Sequence, residues 1–292
     1  MRKIILICAM LFFQTAFSQQ AEIFKLKNFR VSVLNDSIQE TSGLNFFDGK
    51  LYSFNDSGNS AKIYEIDKIS GKILKVLKTN AENKDWEALT NDGENFYIGD
   101  FGNNAGTRKD LKIYKIPFQN NQLQNDLMKT ISFYYPEQQD FTSKNISTDY
   151  DLESMIYLNG KIHIFTKEWA SKSTTHYTVD SENFENQAAQ KVENYKTGFV
   201  VTDACYYDKK LYVVGYTKKT EVFLDVFNET DPGIFFKENQ RHFYLGSALS
   251  IGQIEGIAVD EKGIYISGEK FYSPIKKTKP FFYFIPKEKL KL

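Results

Sequence analysis

The chain has 292 residues, of which 41% are hydrophobic and 25% are charged. This is enough apolar material to bury a large core. Basic and acidic residues both number 37, so the formal net charge is zero. A balanced charge excludes the strongly basic class of proteins and argues against nucleic acid or an anionic membrane as a general partner.

The first eighteen residues have the features of an export leader. Met1-Arg2-Lys3 is followed by an apolar run from Ile4 to Phe13 and by small residues up to Ser18. This order predicts a cleavable signal peptide over residues 1–18 and one mature domain over 19–292. The apolar run is short for a membrane span, and no later segment is longer. We therefore expect an exported protein, periplasmic or extracellular, without a transmembrane segment.

Five later segments share one pattern, in which an apolar strand, a tight turn of Asp, Asn, Gly or Lys, and a strand of β-branched and aromatic residues follow one another. Their first strands start at Ser42, Glu87, Glu153, Asp203 and Glu255. The pattern is typical of β-hairpins. A third strand is predicted in four units, over 62–66, 111–116, 175–178 and 222–226. A fourth is predicted over 73–77 and 130–134.

Four-stranded units repeated roughly every 50 residues are typical of propeller blades. The last unit lacks one strand, and the segment over 24–34 could supply it and close the ring. The sequence therefore predicts an all-β, five-bladed β-propeller closed by its N-terminal strand. Six blades are the alternative, if the stretch over 119–149 contains another.

Polar residues mark equivalent points of the predicted blades. The first strands start with Ser42, Glu87, Glu153, Asp203 and Glu255, and the second strands end 13 or 14 residues later at Asp56, Asp100, Lys167, Thr217 and Glu269. In antiparallel neighbours these points meet on one face, which predicts a ring of carboxylates at the mouth of a central tunnel. Oxygen ligands without His or Cys favour Ca²⁺, and Mg²⁺ less. The predicted metal ligands are the five residues that start the first strands, Ser42, Glu87, Glu153, Asp203 and Glu255. Alternatively, the carboxylates bind backbone N–H groups.

Further polar residues are predicted beside this mouth. Asp56, Asp100, Arg108, Lys167 and Glu168 are candidate catalytic residues, with Arg108 and Lys167 able to hold an anion next to a cation. The alternative is that the two basic residues only neutralise the acidic ring. Trp86 is predicted to pack between blades, whereas Trp169 is a candidate for stacking against a ligand.

Several short motifs carry a resemblance to known proteins. They are Asn55-Asp56-Ser57-Gly58-Asn59, Asp85-Trp86-Glu87 and Gly99-Asp100-Phe101-Gly102-Asn103-Asn104. The chain resembles exported bacterial β-propellers of the phytase-like and esterase-like kind. It is more distantly similar to calcium-activated nucleotidase (apyrase), whose pattern is matched at Ser42, Asp56, Glu87, Glu153 and Glu255. The resemblance implies a propeller with one calcium in its tunnel.

Two functions stay open from the sequence. The first is a non-enzymatic envelope protein with a calcium site, whose tunnel mouth binds a small anionic ligand, a glycan or another envelope protein. The second is a calcium-dependent hydrolase of phosphate esters or anhydrides, in which the metal activates a water molecule.

Overall fold

The computed structural model describes residues 20–272 and 277–290, so the predicted leader lies outside the described residues. The strands in chain order are β1 Glu22–Ile23, β2 Arg30–Val33, β3 Thr41–Phe47, β4 Lys50–Asn55, β5 Lys62–Ile66, β6 Ile73–Lys78, β7 Trp86–Asn91, β8 Asn95–Asp100, β9 Lys112–Gln119, β10 Gln122–Leu123, β11 Lys129–Tyr134, β12 Asp151–Leu158, β13 Lys161–Lys167, β14 Thr174–Asp180, β15 Gln187–Ala188, β16 Gln190–Tyr195, β17 Val200–Tyr207, β18 Lys210–Tyr216, β19 Glu221–Asn228, β20 Arg241–Ser247, β21 Gln253–Val259, β22 Gly263–Glu269 and β23 Phe281–Pro286.

The helices are short. One α-helical turn, α1, spans Ala248–Ile251, and 3₁₀ turns span Leu26–Phe29, Asp36–Ile38, Asn125–Leu127 and Lys287–Lys289. In the part of the chain that the structure describes, none of them has the length and apolar character that a bilayer crossing requires.

The strands form five mainly antiparallel sheets, and the prediction of a five-bladed propeller is confirmed. Blade 1 consists of β3 to β6, and blade 2 of β7, β8, β9 and β11. Blade 3 consists of β12, β13, β14 and β16, and blade 4 of β17 to β20. The sixth-blade alternative is wrong, because the segment over 119–149 contains only β10, a 3₁₀ turn and β11, the last of which belongs to blade 2.

The N-terminal segment closes the ring, as predicted. Blade 5 consists of β21, β22, β23 and β2, and β2 runs antiparallel to β23 with Val33 opposite Phe281. The short strands β1 and β15 add parallel pairings to the outer strands of blades 4 and 2. Three of the five outer strand edges are thus left without such a cover among the described residues.

The core lies between the blades. Each of five apolar clusters is shared by two neighbouring blades, and the cluster between blades 1 and 2 contains Phe54, Trp86 and Ile98. The Trp86 ring is fully buried and meets the Phe54 ring edge-on at 6.1 Å. Its Nε1 donates to the Glu82 carbonyl oxygen at 2.7 Å. The packing role predicted for Trp86 is confirmed.

Every first strand has an irregular register near its start, and this controls which side chains face the axis. Glu87, Glu153 and Glu255 are each the extra residue of a β-bulge, opposite no partner in the second strand. In blade 1 the bulge includes Ser42. In blade 4 the extra residue is Thr202, which precedes the predicted ligand Asp203 by one position. A bulge redirects one side chain without ending the pairing.

Candidate metal centre

A cavity of about 140 Å³ lies at the end of the tunnel where the bulges are found. It is lined by polar residues from all five blades, namely Ser42, Asp56, Glu87, Asn104, Glu153, Lys167, Trp169, Tyr216, Gln253, Glu255 and Glu269. Four of the five predicted metal ligands therefore share one cavity, and so do two of the candidate catalytic residues. Pockets that hold organic ligands usually exceed roughly 300 Å³, so this cavity has the size for an ion with a few water molecules.

Three carboxylates form the tightest group at this cavity, namely Asp56 and Glu87 from its lining and Asp85 beside them. One oxygen each of Asp56, Asp85 and Glu87 lies within 4.8 Å of the other two. Ionised carboxylates at this separation repel by about 3 kcal/mol per pair at an effective dielectric constant near 20. A cation at the centre of such a triangle is at most about 2.8 Å from each oxygen, close to the Ca–O distance of about 2.3–2.6 Å.

Burial and like charge perturb the electrostatics of this group. Burial and the neighbouring Asp56 raise the pKa of Asp85 to about 6. Burial, together with Glu153 and Asp56, raises the pKa of Glu87 well above its usual range. The Ser42 hydroxyl donates to Glu87 Oε2 at 3.1 Å. The group therefore has more negative charge than its hydrogen bonds offset.

Gly102 determines how close the backbone comes to these oxygens. A Cβ atom at this position would lie 2.4 Å from Asp85 Oδ2 and 2.6 Å from Glu87 Oε1. Any side chain at this position would have to displace the two carboxylates, because real Cβ contacts are longer. The Gly99-Asp100-Phe101-Gly102 motif thus has a glycine where the chain passes directly against the two carboxylates.

The cavity lining also contains three more carboxylates and one lysine. Lys167 Nζ donates to Glu153 Oε1, and both side chains are only 4% exposed. Burial is the largest single influence and lowers the pKa of Lys167, but Glu153 together with Tyr216 and Glu255 raises it well above its usual value. Glu269 has a pKa raised by burial and by Glu255.

Glu255 supplies a buried oxygen without a partner. Its Oε1 accepts from Gln253 Nε2 at 2.6 Å, whereas its Oε2 has no hydrogen-bond partner among the described residues. The nearby Thr202 hydroxyl donates a hydrogen bond to the Ile254 carbonyl oxygen at 2.7 Å. A buried carboxylate oxygen that lacks a donor is costly, and a cation is one way to satisfy it.

Asp203, the fifth predicted ligand, does not line this cavity. Its Oδ2 accepts from the backbone N–H groups of Ile257 at 2.7 Å and Leu44 at 3.3 Å, and its Oδ1 accepts from Ala204 at 2.8 Å. It therefore joins blade 4 to blades 5 and 1 deeper in the tunnel. The comparison of the five repeated segments was therefore one residue out of register in blade 4. Thr202, the extra residue of the bulge, is the structural equivalent of the three glutamates.

Asp100 and Arg108 form a buried ion pair outside the cavity lining. Arg108 Nη2 donates to Asp100 Oδ1 at 2.9 Å and to its carbonyl oxygen at 3.0 Å, while Nη1 donates to the Gly102 carbonyl oxygen at 3.1 Å. Nε donates to Asp110 at 3.1 Å. The hydrogen bonds of the guanidinium group are thus made to the loop after β8, which they hold in place. Arg108 is not placed to clamp an anion.

Glu168 and Trp169 are also engaged by neighbouring residues. Glu168 accepts from the hydroxyl groups of Thr166 at 2.9 Å and Thr175 at 2.5 Å, and from Ser171. Trp169 is 8% exposed, its Nε1 donates to Asp151 Oδ2 at 2.9 Å, and its ring lies 5.0 Å from Lys167 Nζ. The Trp169 ring, which was predicted to stack against a ligand, therefore contacts the Lys167 ammonium group of the same chain.

Asp85 was missed as a site residue because it precedes β7 instead of starting it. Its position two residues before Glu87, in Asp85-Trp86-Glu87, was the available signal, since the buried tryptophan turns the two flanking carboxylates to the same side. In blade 4 the sequence comparison was one residue out of register. It therefore pointed to Thr217 instead of Tyr216, as it pointed to Asp203 instead of Thr202.

Comparisons with known proteins add little to this geometry. Neither a protein-family model nor a curated protein matches the chain. The resemblance to phytase-like, esterase-like and apyrase propellers therefore has no support from these comparisons beyond the propeller architecture itself.

Some solved structures are similar at low scores. They include hydrazine synthase of Kuenenia stuttgartiensis (14% identity, TM-score 0.41, covering 80% of this chain and 57% of that one). A 6-phosphogluconolactonase-like protein of Bacteroides uniformis has 12% identity and TM-score 0.39, with 88% and 72% covered. A glucose dehydrogenase-like protein of Thermus thermophilus has 9% identity and TM-score 0.45, with 88% and 98% covered. The chain spans little more than half of the hydrazine synthase chain, and none of these scores bears on its activity.

Proposed function

We propose that this protein is an exported, calcium-binding β-propeller whose cation site lies in the acidic cavity at one end of the tunnel. The observation that carries the proposal is the triangle of Asp56, Asp85 and Glu87 oxygens within 4.8 Å of one another. The unpartnered Glu255 Oε2 supports it independently. Carboxylates and water are the ligands that Ca²⁺ takes in sets of about 6 to 8.

The size of the cavity favours a binding role over catalysis on an organic substrate. A volume of about 140 Å³ leaves no room for a nucleotide or a sugar beside the cation. A small anionic ligand, a glycan or an envelope protein would have to contact the cation from outside the mouth. The hydrolase alternative has no comparable support, since Arg108 and Glu168 are fully engaged by neighbouring residues.

Calcium titration of the chelator-treated chain tests the proposal. We expect binding by isothermal titration calorimetry and a rise in melting temperature with added Ca²⁺, because a ligand that binds only the folded state stabilises it. Glu87→Gln should weaken binding at least about tenfold, which is about 1.4 kcal/mol. Asp48→Asn, an exposed change in the turn between β3 and β4, is the matched control and should leave binding unchanged.

Three outcomes would count against the proposal. Absence of calcium binding by the folded wild-type chain would refute the site, and equal loss of binding in the Asp48→Asn control would show that the effect is not local. Calcium-dependent turnover of a panel of phosphate esters would favour the hydrolase instead.

A further inference from the structure

A second cavity, of about 330 Å³, lies at the other end of the tunnel from the acidic cavity. Each inner strand contributes residues near its C-terminal end, among them Asn45, Asn91, Tyr157, Tyr206 and Val259. Glu87 and Asn91 are four positions apart on β7, so about 13 Å of strand separates the two cavities. The volume of the second cavity is within the range of roughly 300–1,000 Å³ that is usual for small organic ligands.

The charges that line the second cavity are largely offset by their neighbours. Lys68 Nζ lies 2.9 Å from Asp260 Oδ2. Asp260 also accepts from the Tyr265 hydroxyl at 3.3 Å and from two backbone N–H groups at 2.8 and 3.2 Å. Glu261, the further charged residue of the described lining, is exposed to solvent. Neither a cation nor an anion has an unpaired buried partner among these lining residues, which favours a neutral ligand.

Neutral side chains leave hydrogen-bonding groups free on this lining. Asn91 Nδ2 donates to Asn45 Oδ1 and, at 2.7 Å, to the Phe46 carbonyl oxygen. Asn91 Oδ1 accepts from the Gly93 N–H group at 3.1 Å, so the Asn91 amide is fixed at both ends. Within the described residues, the Asn45 NH₂ group and the Tyr207 hydroxyl have no hydrogen-bond partner. Both groups are therefore available to a polar ligand.

Four partly exposed aromatic rings also line the second cavity, namely Phe46, Tyr157, Tyr206 and Tyr207. The Tyr157 ring stacks on that of Tyr97 at 5.4 Å. The Phe46 ring meets that of Tyr265 edge-on at 5.2 Å. Rings that are already held by neighbours lose little freedom when a ligand binds. A sugar has a face of C–H groups that packs on such rings, and hydroxyl groups around its edge for the polar side chains.

We propose that the second cavity binds a neutral saccharide, with tyrosine rings against its C–H face and with Asn45 and Tyr207 bonded to its hydroxyl groups. The volume limits the bound part to a small saccharide or to the terminal units of a longer glycan. This inference goes beyond the proposed calcium site and does not depend on it, since no residue lines both cavities. The chain thus has separate places for an ion and for an organic ligand, at opposite ends of one tunnel.

Saturation-transfer NMR of wild type with glucose, galactose, mannose, N-acetylglucosamine and their disaccharides, at millimolar concentration, tests the proposal. We expect at least one of these sugars to bind, and calorimetric titration then gives its affinity. Asn45→Leu removes the donor, and Tyr207→Ala removes a ring and a hydroxyl. Each should weaken binding at least about fivefold. Tyr134→Ala is the matched control, because Tyr134 is 44% exposed and lies outside the lining, and it should bind as wild type does.

Tyr207→Ala keeps the test decisive if Asn45→Leu fails to fold, because Tyr207 is partly exposed and makes no hydrogen bond through its side chain within the described residues. Absence of binding by every sugar, or an equal loss in Tyr134→Ala, would overturn the inference. Preferred binding of free adenine or of gluconate would overturn it as well, in favour of a planar or an anionic ligand.

The same titration in EDTA separates this inference from the proposed function. Sugar binding should persist without calcium, because the ion site lies at the other end of the tunnel. Loss of sugar binding in EDTA would place the sugar at the cation and overturn the inference alone. Absence of calcium binding by a chain that still binds the sugar would overturn the proposed function alone.

Discussion

Replacing Asp85 by asparagine should stabilise the calcium-free protein, although it removes a proposed ligand. The folded state raises the pKa of this carboxyl from 3.8 to about 6, mainly through burial and then through Asp56, with Arg108 acting in the opposite direction. Because the folded state holds the proton more tightly than the unfolded one, unfolding releases it. The group's contribution to the free energy of unfolding is therefore highest at acidic pH and falls as the pH rises from about 4 to about 6.

The size of the effect follows from the shift. Two pKa units correspond to about 3 kcal/mol, and the partial exposure of Asp85 reduces our expectation to about 2 kcal/mol at pH 7.5. Asparagine has nearly the same shape and no charge, so it should recover this amount. At pH 5 the gain should be about half as large, since the wild-type carboxyl is then mostly protonated when folded.

Urea denaturation in EDTA at pH 7.5 and pH 5 measures the effect, with Asp48→Asn as the control for loss of an exposed carboxylate. In excess calcium the order should reverse, with wild type the more stable chain, because the ion stabilises only a complete ligand set. A destabilised Asp85→Asn chain in EDTA at pH 7.5, or a gain that does not change with pH, would refute the reasoning.

Three further changes test other parts of the structure. Gly102→Ala should weaken calcium binding at least about tenfold, because its Cβ would displace the oxygens of Asp85 and Glu87; unchanged affinity in a calorimetric titration would contradict the close approach. Arg108→Met should lower the free energy of unfolding in urea by about 2 kcal/mol, because it removes the charged hydrogen bond to the buried Asp100 and leaves this carboxylate only the weaker ion pair with Lys112 at 3.9 Å; a loss below about 0.5 kcal/mol would count against a structural role. A chain that starts after β2 should melt at a lower temperature by scanning calorimetry than one that starts at residue 20, and equal melting would show that ring closure contributes no stability.

Most of the blade architecture depends on short stretches of sequence, such as turns and apolar strands, and can therefore be predicted from the sequence. Hairpin turns such as Asp48-Gly49 and Asn159-Gly160 have positive φ at both residues, the conformation that these residue types favour. Inner strands are apolar and β-branched. The outer strands β16 and β20 were not predicted. Strand β16 is mostly polar, whereas β20 contains Phe243, Tyr244 and Leu245 but is separated from β19 by a long loop and so lies outside the hairpin pattern.

The candidate site was predicted only in part, because bulges change register without changing composition. A constant offset of 13 or 14 residues pairs Glu153 with Lys167 and Glu255 with Glu269, and both pairs do line the cavity. The same offset led to Asp203 in blade 4, where the bulge falls one residue earlier. Which of two adjacent residues a bulge turns inward depends on packing between blades, and that is not local information.

The closure of blade 5 has a consequence for how the chain acquires its structure. Strand β2 is synthesised before all the other strands of the blades and its partner β23 after them, so Val33 can pair with Phe281 only after every other blade strand has been made. Until then one blade is a three-stranded sheet with an open edge, and its apolar neighbours stay exposed. Contacts so distant in sequence slow folding. We therefore expect the pairing of β2 with β23 to be the last step of folding, and aggregation to compete most strongly with that step.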